Sequence, residues 1–167
     1  MENADIFLIN AKEISVAKPS TLSETIKHGI VVINHQNKRD QAGLQKKKRA
    51  VLRQLINQET VKNALVFCNR KKDVDIVNKS CIKHGLNSAT LHGDMPQSAR
   101  TQTIEKFKAS EFDLLICSDV AARGLDIDEL SHVFNYDIPT HAEDYVHRVG
   151  RTARAGKQGY AFSLAWK

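Results

Sequence analysis

Short, unbroken apolar runs recur along this chain, and stretches with helical spacing separate them. Ala64-Leu65-Val66-Phe67-Cys68 and Leu114-Leu115-Ile116-Cys117 contain no polar side chain other than a thiol. His132–Tyr136, Tyr160–Leu164, Ser88–Leu91 and Thr25–Ile33 add four further strand candidates. Between them, Val51, Leu52, Leu55 and Ile56 fit one helical face, as do Val74, Val77 and Cys81, and then Ile104 and Phe107. A strand that is apolar on both faces must be covered on both faces. Alternation of such strands with helices of roughly a dozen residues therefore predicts an α/β fold, a mostly parallel central sheet with helices on both sides. In such sheets ligands gather at the carboxyl ends of the strands. Here the loops at those ends start near Asn69, His92, Ser118 and Asp137.

Length and composition narrow the class. The chain has 167 residues, enough for one compact domain, and 41% of them are hydrophobic. No run of about 18 apolar residues is present, so no membrane span is expected. Residues 1–10 carry acids and no basic leader pattern, which argues against secretion. Cys68, Cys81 and Cys117 form no CxxC pair and read as free thiols in a reducing, cytoplasmic compartment. The seven histidines lack HxxxH spacing, so no metal site is expected. A net charge of +6 weakly favours a polyanionic partner.

Three segments at the strand ends carry chemistry. In His147-Arg148-Val149-Gly150-Arg151-Thr152-Ala153-Arg154, arginines recur every third residue, a spacing that fans them over one face of a helical turn. Arginine presents a planar, permanently charged fork that matches phosphate oxygens. Only Glu143 and Asp144 lie nearby as local acids. In Ser118-Asp119-Val120-Ala121-Ala122-Arg123-Gly124-Leu125-Asp126-Ile127, a hydroxyl and backbone amides follow a strand directly. Gly124 permits close approach or positive φ, and the Asp126 carboxylate is of a type that can accept hydrogen bonds from a ribose hydroxyl. In His92-Gly93-Asp94-Met95-Pro96-Gln97-Ser98-Ala99-Arg100, Gln97 and Arg100 lie one turn apart where Pro96 opens a helix. Each has an ordinary reading when taken alone: a solvated basic face, a capped strand–turn–helix with Ser118 or Asp119 as cap, a Gly-Asp turn.

Together and in this order, the segments resemble the second motor domain of DEAD-box RNA helicases. Val66-Phe67-Cys68-Asn69-Arg70-Lys71 is similar to motif IV, and Gln97-Ser98-Ala99-Arg100 to motif IVa. Ser118–Ile127 is similar to motif V, and His147–Arg154 to motif VI. Asn135-Tyr136-Asp137-Ile138-Pro139 and Gly159-Tyr160-Ala161 fit as well. Ser118 stands where threonine is common, Arg70 where many members have threonine, Ala153 where glycine is frequent, and Ala11 where a linker proline is common.

The resemblance implies a RecA-like three-layer sandwich over residues 23–167, with residues 1–22 as an interdomain linker. It implies that Arg151 and Arg154 act as arginine fingers on the ATP γ-phosphate, with Gly124 and Asp126 facing the nucleotide. It implies that Asn69, Arg70, Gly93, Gln97, Arg100 and Ser118 grip an RNA backbone, and that His147 and Arg148 couple the domain to its mate. ATP with Mg²⁺ is the implied cofactor, its metal ligands lying in an N-terminal RecA-like domain and none in this one.

A complete motor needs GxxxxGK[ST], and the nearest string, Gly150 to Gly156-Lys157-Gln158, is one residue too long and lacks the hydroxyl. No DEAD box occurs either: Asp128-Glu129 runs into Leu130. The chain is thus expected to be the C-terminal half of an ATP-dependent RNA helicase, inactive and monomeric alone. The competing expectation is a stand-alone RNA-binding or adaptor domain without ATPase activity. The basic segment Lys38–Arg49 reads as a solvated loop running into a helix start, with an auxiliary RNA-binding loop as the sharper alternative.

Overall fold

The computed structural model describes residues 25–35, 37, 39–152 and 157–167. The expected linker, residues 1–22, and the expected finger Arg154 lie outside the described residues. The chain runs β1 (Ile26–Ile33), α1 (Gln41–Gln58), β2 (Ala64–Phe67), α2 (Lys71–Lys83), β3 (Ser88–Leu91), α3 (Gln97–Lys108), β4 (Leu114–Cys117), α4 (Asp119–Ala122), β5 (His132–Asn135), α5 (Ala142–Val149) and β6 (Gly159–Trp166). All six apolar runs became strands. They form one sheet in the order β1-β6-β5-β2-β4-β3, and every pairing is parallel.

β5, β2 and β4 lie side by side within the sheet and are buried at every residue; β2 and β4 are the two continuous apolar runs, while β5 also buries His132 and Asn135. Their side chains alternate between two cores. Ala64, Val66 and Cys68 face α1 and α2 through Leu44, Val51, Leu52, Leu55, Ile56, Val74, Val77 and Cys81. Leu65 and Phe67 face the opposite way, toward Phe107 of α3, Ala121 and Ala122 of α4, and Ile127 and Leu130. Val149 of α5 covers the same side lower in the sheet, against Ile26 and Ala161. The result is the three-layer sandwich expected.

Helix α1 departs from expectation. It begins at Gln41, ten residues before Val51, so Lys46, Lys47, Lys48 and Arg49 are helical and not a solvated loop. Lysine has good helix propensity, and the Asp40 carboxylate caps the helix by accepting from the Gly43 N–H at 2.8 Å. Leu44, seven residues before Val51, extends the buried stripe. Pro96 likewise sits at the cap of α3, not inside its first turn. Helix α5 stops at Val149, with Gly150 as its C-cap. Arg148 and Arg151 therefore do not share one helical face: the first is inside the helix and the second beyond it.

Candidate functional site

The carboxyl ends of the central strands converge on a buried arginine. Arg148 lies in the last turn of α5, its side chain 1% exposed. Its Nε donates to Asp119 Oδ1 at 2.6 Å, and one Nη donates to Asn135 Oδ1 at 3.1 Å and to the Asp137 carbonyl at 2.7 Å. The other Nη donates to Asn69 Oδ1 at 2.8 Å and to the second oxygen of Asp119. The guanidinium also lies 4.9 Å from the Phe67 ring centroid. These contacts use all five N–H groups that an arginine possesses. Four loops, after β2, β4 and β5 and at the end of α5, are tied together by one side chain.

A second buried cation extends the network. Lys48, from α1, has a side chain 1% exposed and pairs with Asp137 Oδ1 at 2.6 Å. Its ammonium lies 4.2 Å from the Tyr136 ring centroid and 5.4 Å from that of Trp166. Asp137 Oδ2 accepts from the Asn69 N–H at 3.0 Å, and the Asn69 side-chain amide donates to the Ile138 carbonyl at 3.0 Å. The side chain of Asn69 is thereby committed to holding the turn. The low dielectric here has a clear signature: burial pushes the Cys68 and Cys117 thiols and the Tyr136 phenol well up.

The sequence missed Lys48, Asp119, Asn135 and Asp137 as members of the site. A burial signal for Lys48 was available only as its place on the Leu44–Val51–Leu55 face of α1.

The loop after α4 supplies the exposed part. Ser118 is the N-cap residue of α4, but its hydroxyl makes no cap hydrogen bond, and the Asp119 carboxylate is taken by Arg148. The ordinary capping reading thus does not describe either residue. Gly124 has φ +72°, and a Cβ there would meet nothing within 4 Å. Asp126 projects into solvent, 92% exposed at its side chain, with Lys108 Nζ 3.2 Å from Oδ2. Arg151, half-buried, reaches into this loop. One Nη donates to the Leu125 carbonyl at 2.5 Å and the other to the Ala122 carbonyl at 3.5 Å. Backbone carbonyls give the guanidinium a resting place without neutralising its charge.

Along the neighbouring edge, Arg70, Gly93 and Gln97 are exposed at the ends of β2 and β3. Arg70 donates through Nε to Asp73 at 2.7 Å, and this hydrogen bond raises its already high pKa. Lys71 pairs with Asp94 at 2.8 Å and lowers that carboxyl's pKa. Arg100 is half-buried and donates to the Ala121 carbonyl at 3.4 Å, while its buried Nε has no hydrogen-bond partner. A guanidinium with an unfilled donor at a strand-end edge is suited to an added acceptor oxygen. His147 is exposed on the last turn of α5. Among the described residues, no group of three or more His, Cys, Asp or Glu comes together, and no helix is long and apolar enough to cross a membrane.

An all-parallel sheet flanked by two helical layers, with its polar and basic side chains gathered at the strand carboxyl ends, is a RecA-like α/β domain. Residues 47–156 match the helicase conserved C-terminal domain family. The DEAD-box ATP-dependent RNA helicase RhpA of Helicobacter pylori is 38% identical over 161 residues, 96% of this chain and 31% of that protein. The ATP-dependent RNA helicase SrmB of Haemophilus influenzae is 45% identical over 114 residues, 68% of this chain and 26% of that protein. Among solved structures, the Escherichia coli DEAD-box protein SrmB, bound to regulator of ribonuclease activity A, matches with a TM-score of 0.73 and 34% identity, covering 83% of this chain and 77% of that one. The C-terminal domain of the DEAD-box protein Dbp5 matches with a TM-score of 0.71 and 32% identity, over 86% and 78% of the two chains. The chain belongs to the DEAD-box RNA helicase family and forms its helicase C-terminal domain. It spans about a third or less of the length of the curated relatives it matches.

Proposed function

We propose that this chain is the C-terminal motor domain of an ATP-dependent RNA helicase, which unwinds or remodels RNA duplexes together with an N-terminal RecA-like domain. The observation that carries the reading is the contact of Arg151 with the Ala122–Leu125 loop, beside Gly124 and Asp126. An open, positive-φ glycine, an exposed carboxylate and a guanidinium suit the phosphates and ribose of ATP as half of a site. The ATP site would lie between two domains, with Mg²⁺ held by carboxylates of the other one. ATP supplies the phosphoryl group whose transfer to water drives the cycle. Arg151, joined by Arg154, leaves its carbonyl acceptors to stabilise charge on that group.

Ser118, Gly93, Gln97 and Arg100 line the edge that takes the RNA backbone, with Arg70 at its end. Contact through phosphate and 2′-hydroxyl makes such binding largely indifferent to sequence. Asn69 serves by holding the turn that presents Arg70. Arg148 serves by fixing motif V against motif VI, while His147 meets the partner domain directly.

The test is Arg151→Ala, and in parallel Arg154→Ala, in the full-length protein. RNA-stimulated ATPase should fall by about 10³-fold or more, the usual worth of an arginine finger. RNA affinity should stay within a few-fold. Wild-type turnover in Arg151→Ala, or RNA-stimulated ATPase in the isolated 167-residue chain, would overturn the proposal.

A further inference from the structure

Helix α3 touches α4 and the nucleotide-facing loop that follows it, one point on each. Near its start, Arg100 reaches the Ala121 carbonyl; at its last residue, Lys108 pairs with Asp126. The Lys108 ammonium lies 3.2 Å from Oδ2 of a carboxylate that is otherwise almost wholly in water. The Lys108 side chain is 47% exposed. Nothing in the sequence motifs singles out this lysine, which lies 18 residues before its partner.

We propose that Lys108 is a positioning residue for Asp126 and thereby sets the preference of the site for a ribonucleotide. This rests on the reading of Asp126 as the ribose contact. An unpartnered, solvent-exposed aspartate samples several rotamers, and most of them misdirect its lone pairs. Lys108 engages Oδ2 and leaves Oδ1 free for a ribose hydroxyl. Its positive charge also offsets the repulsion between the Asp126 carboxylate and a triphosphate. Because α3 begins with Gln97 and Arg100, the same rigid helix connects the RNA edge to the ribose acceptor.

The experiment measures kcat and KM for ATP and 2′-deoxy-ATP with saturating RNA in the full-length protein, for wild type, Lys108→Met, Lys108→Arg, Asp126→Asn and the double variant Lys108→Met/Asp126→Asn. An exposed ion pair is modest in strength, so Lys108→Met should reduce the kcat/KM preference for ATP over 2′-deoxy-ATP by roughly 2- to 5-fold. The change should appear mainly in KM. Lys108→Arg should restore the preference, and Lys108→Met should change it no further in the Asp126→Asn background, as coupled partners require. Three outcomes would overturn the proposal: an unchanged preference in Lys108→Met; KM values for both nucleotides raised equally, which makes Lys108 a charge and not a positioner; or the same loss with and without Asp126. If Asp126→Asn itself leaves the preference intact, it is the ribose reading of Asp126 that fails.

Discussion

At the scale of single residues, Arg148 and Arg151 lie three positions apart and have opposite fates. Arg148 is consumed by Asp119, Asn135, Asp137 and Asn69, while Arg151 rests on two carbonyls at the rim of the loop. The difference follows from where α5 ends. Arg148 is in the last turn and points at the sheet, and Gly150 turns the chain before Arg151. Arg148→Lys should therefore destabilise the domain by about 3 kcal/mol, because a lysine cannot satisfy a bidentate aspartate and two amide oxygens at once. Arg151→Lys should shift stability by under about 1 kcal/mol. Urea unfolding of the 167-residue chain separates the two, and equal midpoints would contradict the role assigned to Arg148. The resemblance gave the two arginines different roles, Arg151 as a finger and Arg148 as a coupling residue, but nothing in the local sequence showed that Arg148 is buried. The partner that decides Arg148's fate, Asp119, lies 29 residues away.

At the scale of elements, β2 and β4 were legible because a strand covered on both faces leaves an unbroken apolar run, and the other four because short apolar stretches recur between helical spacings. The first half of α1 was not legible. Its sequence, Gln41-Ala-Gly-Leu-Gln-Lys-Lys-Lys-Arg, looks solvated because its burial is carried by one leucine and one lysine. Lys48 is buried only because Asp137, 89 residues later, arrives at the same place, and no local pattern announces such a pairing. The structure splits the basic stretch into distinct roles: Lys46 is exposed, Lys47 donates to the Asn34 carbonyl at 2.7 Å, and Lys48 is internal. Lys48→Met should cost about 3 kcal/mol, since it strands the Asp137 carboxylate near the core. Lys46→Glu should stay within about 0.5 kcal/mol and alter only the salt dependence of any RNA binding on this face. Thermal or urea unfolding of the two variants checks the contrast. A neutral Lys48→Met would mean that the pair contributes nothing.

At the scale of the whole molecule, two histidines tie stability to pH. His132 is buried at the start of β5, stacked 5.0 Å from Tyr160 and 5.7 Å from Phe134. Burial lowers its pKa, partly opposed by the Glu59 carboxylate 3.4 Å away. Burial lowers the pKa of His28 as well. Between the folded and unfolded pKa values the unfolded chain binds more protons, so stability rises with pH there. Their contribution is complete above about pH 6.5, the ordinary histidine value, and is lost as pH falls through the lower folded values. Unfolding free energy measured between pH 8 and pH 5 should decline on the acid side. His132→Gln should flatten that slope, and an unchanged slope would remove His132 from the account.

The pairing of the first described strand with the last has a consequence for how the domain is made. Among the described residues β1 is an edge strand whose sheet partner is β6, in register from Ile26 with Gly159 to Ile33 with Trp166. During synthesis β1 leaves the ribosome before the other five strands and waits while more than a hundred further residues are added. At cellular elongation rates that wait is on the order of ten seconds. β2 to β5 can pair among themselves in that time, but β1, whose partner among the described strands is β6, stays unpaired until β6 emerges. The interval before β6 appears is when a nascent chain of this kind is most exposed to mispairing, and when a chaperone has most to do.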